Sequence, residues 1–83
     1  EHRCMKQLEA LGYRCTRAAA SLGEWDIIAI GANDTRLVQV KCNRRPGSAE
    51  MARLRAFQCG ELVSKEVWVY KDGKPREPIV EVL

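Results

Sequence analysis

Two apolar stretches near the middle of the chain carry polar residues at positions where a strand would bury its side chains. The first reads WDIIAI, and Asp26 interrupts it. The second reads LVQVK, and Gln39 and Lys41 interrupt it. Short apolar runs rich in β-branched residues and bounded by turn residues predict strands. Their high apolar content indicates that both faces of these strands are covered.

The segment GANDT (31–35) separates the two stretches, and its Asn33-Asp34 pair favours a turn. We therefore predict a β-hairpin. A turn that is symmetric about Asn33 and Asp34 would set Asp26 opposite Lys41 and Ile28 opposite Gln39.

Periodicity and turn residues predict the other elements. We predict a helix over 1–12, a short strand at 13–17, a loop at 18–24, a basic loop at 43–48, a helix over 49–59, and strands at 66–70 and 78–83. The first helix would bury Cys4, Leu8 and Leu11 and stop at Gly12. The second would be capped by Ser48 and bury Met51, Leu54 and Phe57. The fold class is α/β, one domain over residues 1–83, with the order α-β-β-β-α-β-β and a central mixed sheet flanked by helices.

Composition limits the class of protein. The 83 residues are 46% hydrophobic and 30% charged, which is typical of a globular domain. No apolar run approaches the roughly 20 residues that cross a bilayer, and no signal-peptide pattern opens the sequence. We therefore expect a cytoplasmic protein. If a phage encodes it, we expect it in the cytoplasm of the host cell. The net charge is +3, but residues 36–76 hold ten basic and four acidic groups. This basic section is compatible with a polyanionic partner or with a solvated surface.

The four cysteines, Cys4, Cys15, Cys42 and Cys59, are scattered and form no C-x-x-C pair. That spacing does not predict a zinc ribbon or a redox pair. We expect buried free thiols in a reducing compartment. A disulfide remains the alternative.

The three interrupting polar residues would converge on one patch of the hairpin. Gln39 and Lys41 are two residues apart and therefore share a face. One interpretation is structural: an ion pair between Asp26 and Lys41 with Gln39 bonded beside it, which the pattern alone favours. The other is a phosphodiester-cleaving site. Oxygens of Asp26, Gln39 and the Val40 backbone suit Mg²⁺, and Lys41 would position the attacking water.

The segments LGYRCTR, WDIIAI and LVQVK together resemble the restriction-endonuclease-like D…(D/E)-x-K nuclease superfamily. The resemblance is closest to archaeal-type Holliday-junction resolvases and their Mrr-like and phage relatives. It implies that Asp26 is the metal-binding aspartate, that Lys41 is the motif lysine, and that Glu1 is the glutamate of the first helix. Gln39 stands where the family usually has a carboxylate. Glu24, two residues before Asp26, is a candidate for supplying that charge.

The resemblance implies a DNA endonuclease that depends on Mg²⁺, with Mn²⁺ as a substitute, and that selects branched DNA. The expected catalytic residues are Asp26, Gln39, Lys41 and Glu1; the expected metal ligands are Asp26, Gln39, Glu1 and Val40; the expected DNA contacts are Arg17, Ser21, Asn43, Arg44 and Arg45. We expect a homodimer joined through edge strands 66–70 and 78–83, with no membrane and no small-molecule cofactor. Two alternatives are a DNA-binding module that no longer cuts, which Gln39 favours, and a scaffold domain.

Overall fold

The computed structural model describes residues 2–18, 23–72 and 77–83. The elements are α1 (His2–Ala10), β1 (Arg14–Arg17), β2 (Ile27–Ile30), β3 (Thr35–Cys42), α2 (Ser48–Ala56), β4 (Val63–Tyr70) and β5 (Ile79–Val82). The predicted order α-β-β-β-α-β-β is confirmed. Within these ranges no helix is long and apolar enough to cross a bilayer.

The five strands form one sheet in the order β1-β2-β3-β4-β5. The pair β3–β4 is parallel, and the other three pairs are antiparallel. The sheet is therefore mixed, as predicted. Parallel neighbours need a crossover connection, and α2 provides it between β3 and β4.

Each face of the sheet packs against one helix. Cys4 and Leu8 of α1 pack with one set of strand side chains, which includes Val38. Met51 and Leu54 of α2 pack with the other set. That second set includes Leu37, the immediate neighbour of Val38. Successive residues of a strand point to opposite faces, so the two helices cover opposite sides.

The first helix is shorter than predicted, and this changes one core residue. Cys4 and Leu8 are fully buried, as expected, but Leu11 is 64% exposed, so the prediction that it faces the core is wrong. The helix ends at Ala10, and Gly12 has a φ of 96°, the left-handed conformation in which glycine commonly ends a helix. Leu11 therefore lies in the reversal of the chain and not on the inner face of the helix.

The second helix also differs from the prediction at both ends. It spans Ser48–Ala56, and Gly47 occupies the N-cap position without any side-chain hydrogen bond. Ser48 is therefore the first helical residue and not the cap. At the other end Phe57 already has extended backbone angles, and its ring packs edge-on against Trp25 at a centroid distance of 5.9 Å. The helix therefore ends before position 59, and Phe57 packs on the core from the segment that follows it.

A lysine from the sheet closes the carboxyl end of α2. The ammonium of Lys65 donates hydrogen bonds to the backbone carbonyls of Leu54, Arg55 and Phe57, at 3.0, 2.6 and 2.8 Å. The last carbonyls of a helix have no partner within the helix, and a cation there is favoured by the helix dipole. Lys65 therefore ties α2 to β4.

The hairpin register differs from the prediction by two residues. Ile30 pairs with Thr35 and Ile28 pairs with Leu37, not with Gln39. The turn is centred one residue earlier than predicted, because the Gly31 N–H donates to the Asp34 carbonyl at 2.7 Å. A shift of two residues leaves every side chain on its predicted face.

The Asp34 side chain helps to place this turn. Its two carboxylate oxygens accept hydrogen bonds from the Tyr13 hydroxyl, at 2.7 and 2.9 Å. Asp34 is therefore tied to the segment after α1, and this long-range contact is absent from a local analysis of the turn.

Two further predictions need correction. β4 lies between β3 and β5, so residues 66–70 are not an edge strand, whereas β5 is one. All four cysteines are free, as expected, but burial is uneven: Cys4 is buried, Cys15 is half-buried, and Cys42 and Cys59 are exposed.

We expect Leu8→Ala to lower the free energy of unfolding by about 3 kcal/mol, since it removes a fully buried side chain and leaves a cavity. Leu11→Ala should change it by less than about 0.5 kcal/mol, because that side chain is largely in water. Urea unfolding followed by circular dichroism measures both. Equal losses for the two variants would contradict the burial of Leu8 and the exposure of Leu11.

Candidate active site

The candidate site lies on the α2 side of β3. Leu37 belongs to the cluster that packs against α2, and strand alternation places Gln39 and Lys41 on the same side. Gln39 is only 4% exposed, and the Lys41 side chain is 24% exposed. Along the side of β3 that faces α2, the side chains therefore change from apolar (Leu37) to buried and polar (Gln39) to half-buried and charged (Lys41).

The Gln39 amide is held by two acceptors. Its Nε2 donates to the backbone carbonyl of Glu24 at 3.1 Å and to Oε2 of Glu50 at 2.7 Å. Its Oε1 is buried and has no hydrogen-bond partner among the described residues. A buried polar atom without a partner costs about 1–3 kcal/mol. This oxygen is therefore an acceptor in need of a donor or a cation.

Lys41 and Gln39 share the carboxylate of Glu50. The Lys41 ammonium lies 3.1 Å from Oε1 of Glu50. Burial opposes ionisation of Glu50, but the hydrogen bonds from Gln39 and Lys41 and the lysine charge outweigh it, so the pKa of Glu50 is lowered from its ordinary 4.5. Glu50 is therefore negatively charged at neutral pH.

Glu50 was not among the predicted site residues, although its position near the start of the second predicted helix was evident from the sequence. The signal was available: Glu50 lies four residues before Leu54, and residues four apart on a helix share a face. Because Leu54 is fully buried against the sheet, a carboxylate one turn earlier also faces β3.

Asp26 lies just before β2 and connects three strands. Its carbonyl accepts from Ala18 N–H at 2.8 Å, and its own N–H donates to the Val38 carbonyl at 2.9 Å. Its side chain accepts from the Val40 N–H at 2.8 Å, through Oδ2. The carboxylate thus accepts a hydrogen bond from the β3 backbone that a backbone carbonyl of a neighbouring strand would otherwise accept.

The observed register alters the predicted convergence without removing it. The paired residues of β2 end at Ile27, which lies opposite Val38. The Asp26 N–H also donates to the Val38 carbonyl, so Asp26 does not lie opposite Lys41. The Lys41 ammonium pairs with Glu50. The register does not produce the predicted cross-strand pairing of Asp26 with Lys41. Asp26 bonds to Val38 through its N–H and to Val40 through its carboxylate, so it lies against the stretch of β3 that contains Gln39.

Glu24, the candidate for the missing charge, borders the site. Its Oε1 accepts a hydrogen bond from Nε of Arg53 at 3.0 Å, and its backbone carbonyl holds the Gln39 amide. Its carboxylate is thus engaged with α2, which leaves Glu50 as the carboxylate in contact with both Gln39 and Lys41.

The donor set suits a hydrated Mg²⁺ ion. In the described ranges no group of three His, Cys, Asp or Glu residues is arranged to hold a metal ion. The carboxylate of Asp26 and the unpartnered Oε1 of Gln39 are hard oxygen donors. Mg²⁺ prefers oxygen, needs only one or two carboxylates and keeps several waters. The residues present therefore fit Mg²⁺ better than a metal that needs a full protein cage.

The loop after β3 uses two of its predicted DNA contacts internally. Asn43 has a φ of 68°, and its side chain accepts from the Asp72 N–H at 2.8 Å and donates to the Asp72 carboxylate at 3.0 Å. Arg45 donates two hydrogen bonds, each of 3.0 Å, to Glu81. Arg44 is exposed. These contacts shape the loop that presents Arg44.

The other predicted residues are placed as follows. Arg17 is exposed at the end of β1. Glu1 and Ser21 lie outside the described residues. The catalytic, metal-binding and DNA-binding roles of all these residues stay predictions.

Comparison with known proteins gives a likeness in structure alone. No protein-family model matches the chain, and no curated protein matches its sequence. A solved structure does match: that of Hjc from Archaeoglobus fulgidus, a Holliday junction resolvase from an archaeal hyperthermophile. The TM-score is 0.71, and the match covers 100% of this chain and 74% of that one.

This chain has the fold of that resolvase. The predicted restriction-endonuclease-like architecture is therefore confirmed. The two sequences are 18% identical, so the likeness concerns the fold, and the chemistry has to be argued from the side chains.

We expect Glu50→Gln to lower the free energy of unfolding at pH 7 by about 1–2 kcal/mol, since it weakens hydrogen bonds to a charged group. The folded-state pKa of Glu50 is below its ordinary value, so this stabilisation is present above pH 4.5 and is lost as the pH falls through the lowered pKa. The difference between wild type and variant should therefore shrink on acidification.

Urea unfolding at neutral and acidic pH measures that difference. Glu61→Gln, at an exposed position, is the control for the same change of net charge and should differ little from wild type at either pH. A gap for Glu50→Gln that stays constant on acidification would contradict the lowered pKa.

Proposed function

We propose that this protein is a metal-dependent DNA endonuclease that acts on branched DNA. The observation that carries the proposal is the buried Gln39 amide, whose oxygen has no hydrogen-bond partner among the described residues. Gln39 lies between Val38 and Val40, the two β3 residues that bond to Asp26, and two residues before Lys41 on the same strand. The architecture supports the proposal, because this chain shares its fold with a Holliday junction resolvase.

In the proposed site Asp26, Gln39 through Oε1, the Val40 carbonyl and Glu1 hold Mg²⁺. The ion, when bound, polarises the scissile phosphate and makes a bound water more acidic. Asp26 already has a fixed orientation, because its Oδ2 accepts the Val40 N–H. A ligand that is held by a second hydrogen bond is pre-oriented for binding.

Lys41 is proposed to orient the attacking water and to offset the charge that develops on the phosphate. Its ammonium is partly exposed and is positioned by Glu50 at 3.1 Å. A fixed cation in a partly dehydrated site stabilises a negatively charged transition state more than a mobile one does.

DNA is proposed to contact Arg17 and the basic section of the chain. Arg17 and Arg44 are exposed and would contact phosphates. Ser21, Asn43 and Arg45 are the other predicted contacts. Phosphate contacts by lysine and arginine make affinity fall steeply with salt. Such contacts provide affinity without sequence preference.

Cleavage of a four-way junction and of a linear duplex, in Mg²⁺ or in Mn²⁺, tests the proposed activity. Lys41→Met and Asp26→Asn should each lower the cleavage rate at least about 100-fold, because each removes a charge from the reacting centre. Asp26→Asn retains an oxygen that can accept the Val40 N–H, so the fold should survive.

Lys6→Met serves as the control, since Lys6 is an exposed lysine of α1; it should cut at the wild-type rate. A wild-type protein that cuts neither substrate in either cation would exclude the endonuclease. Equal rates on junction and duplex would exclude only the preference for branched DNA.

A DNA-binding module that does not cut is the second candidate. Two observations favour it: the Lys41 ammonium is already paired with Glu50, and the described ranges hold no cluster of three metal-binding side chains. Salt-dependent band shifts without cleavage would support this function. Affinity for DNA that is absent or independent of salt would instead indicate a scaffold domain.

We further propose a homodimer joined through β5. This edge strand exposes Ile79, Val80 and Val82, at 60%, 44% and 65%. An exposed apolar edge strand readily pairs with another strand, and two symmetric cuts need two sites.

Light scattering should therefore give twice the 9.4 kDa mass of one chain. Val82→Lys should shift the mass to one chain, because a charge on the edge strand opposes pairing. Leu62→Lys changes a side chain that is 72% exposed outside β5 and should remain dimeric. A wild-type mass of one chain would contradict the dimer.

A further inference from the structure

The contact between Gln39 and Glu50 joins the buried amide of β3 to a carboxylate of α2 at 2.7 Å. We propose that Glu50 is a positioning residue for a divalent cation, acting through Gln39. Glu50 holds the amide nitrogen, so that Oε1 is left to the cation, and it brings to the site, from α2, a negative charge that residue 39 lacks. This inference rests on the proposed function, since it concerns the same site.

The orientation of the Gln39 amide follows from its neighbours. An amide has N–H donors on one side and an acceptor oxygen on the other. The nitrogen meets the Glu24 carbonyl and the Glu50 carboxylate, at 3.1 and 2.7 Å. The reversed amide would place its oxygen against two other oxygens and would satisfy none of them. The Glu24 carbonyl and the Glu50 carboxylate together determine that Oε1 is the atom of Gln39 left without a partner among the described residues.

The unpartnered oxygen is not a general feature of this core. Two buried polar side chains occur in the described ranges, Gln39 and Glu66, each 4% exposed. Glu66 has partners for both oxygens: Trp68 Nε1 donates at 2.9 Å and Ser64 Oγ donates at 2.8 Å. The fold thus gives both oxygens of Glu66 a hydrogen-bond donor but leaves Oε1 of Gln39 without one among the described residues. This difference points to a ligand at Oε1.

The identity of residue 39 is explained by the same contact. A glutamate at position 39 would place two carboxylates in the contact that Gln39 and Glu50 now make at 2.7 Å. Like charges so close disfavour joint ionisation. An amide on β3 and a carboxylate on α2 avoid this repulsion and carry one negative charge together. Exchanging the two groups would preserve that total charge.

The experiment measures Mn²⁺ affinity by isothermal titration calorimetry on the full chain, without DNA. The variants are Glu50→Gln, Gln39→Glu and the exchange Gln39→Glu/Glu50→Gln. Glu50→Gln should weaken Mn²⁺ binding about tenfold or more, as is typical when the group that orients a metal ligand is removed. The exchange should bind Mn²⁺ more tightly than Glu50→Gln, because it restores one amide and one carboxylate in contact.

Glu61→Gln is the control, since it removes one negative charge at an exposed position; it should bind Mn²⁺ as wild type does. Circular dichroism establishes that each variant is folded. Should Glu50→Gln fail to fold, Glu50→Asp keeps the charge but shortens the side chain, and it should also lose affinity.

Unchanged affinity in the folded Glu50 variant would overturn the inference, as would an exchange variant no better than Glu50→Gln. The outcome is separate from that of the nuclease proposal. Mn²⁺ binding that depends on Glu50, in a protein that cuts no DNA, would support the inference and exclude the enzyme. DNA cleavage together with Mn²⁺ affinity that is insensitive to Glu50 would do the reverse.

Discussion

Burial of a polar amide in the middle of a small sheet is the constraint on which this site depends. Gln39 is almost wholly enclosed, so its nitrogen must find acceptors within the protein. Those acceptors come from two places that are distant in sequence, the Glu24 carbonyl and the Glu50 side chain. Satisfying the amide nitrogen of one side chain therefore brings together β3, the segment before β2 and the first turn of α2.

The helix α2 has three functions in this fold. It makes the crossover that parallel β3 and β4 require, and it buries Met51 and Leu54 against the sheet. It also carries Glu50 to the polar half of β3. Lys65 fixes the opposite end of the helix through three carbonyls. A helix held at both ends supports a more precise site than a loop does.

Much of this architecture was predictable from the sequence. The order of elements and the shared face of Gln39 and Lys41 follow from local pattern, because strand alternation is strict. The register of the hairpin was wrong by two residues, since the Tyr13 hydroxyl holds Asp34. That contact joins residues 21 positions apart, so the turn propensities of the hairpin residues do not predict it. The exposure of Leu11 was missed for a related reason, since the helix ended before it.

What the sequence determined by itself is the set of elements, their order and the face on which each polar residue lies. These depend on the spacing of apolar residues, a property of neighbours along the chain. The tertiary structure decided the partners: which carboxylate meets Gln39 and Lys41, and which oxygen is left without a donor. Helix periodicity places Glu50 on the inner face of α2. The hydrogen bonds from Gln39 to Glu50 and Glu24 also depend on how that helix and the segment before β2 pack on the sheet, and periodicity does not give those distances.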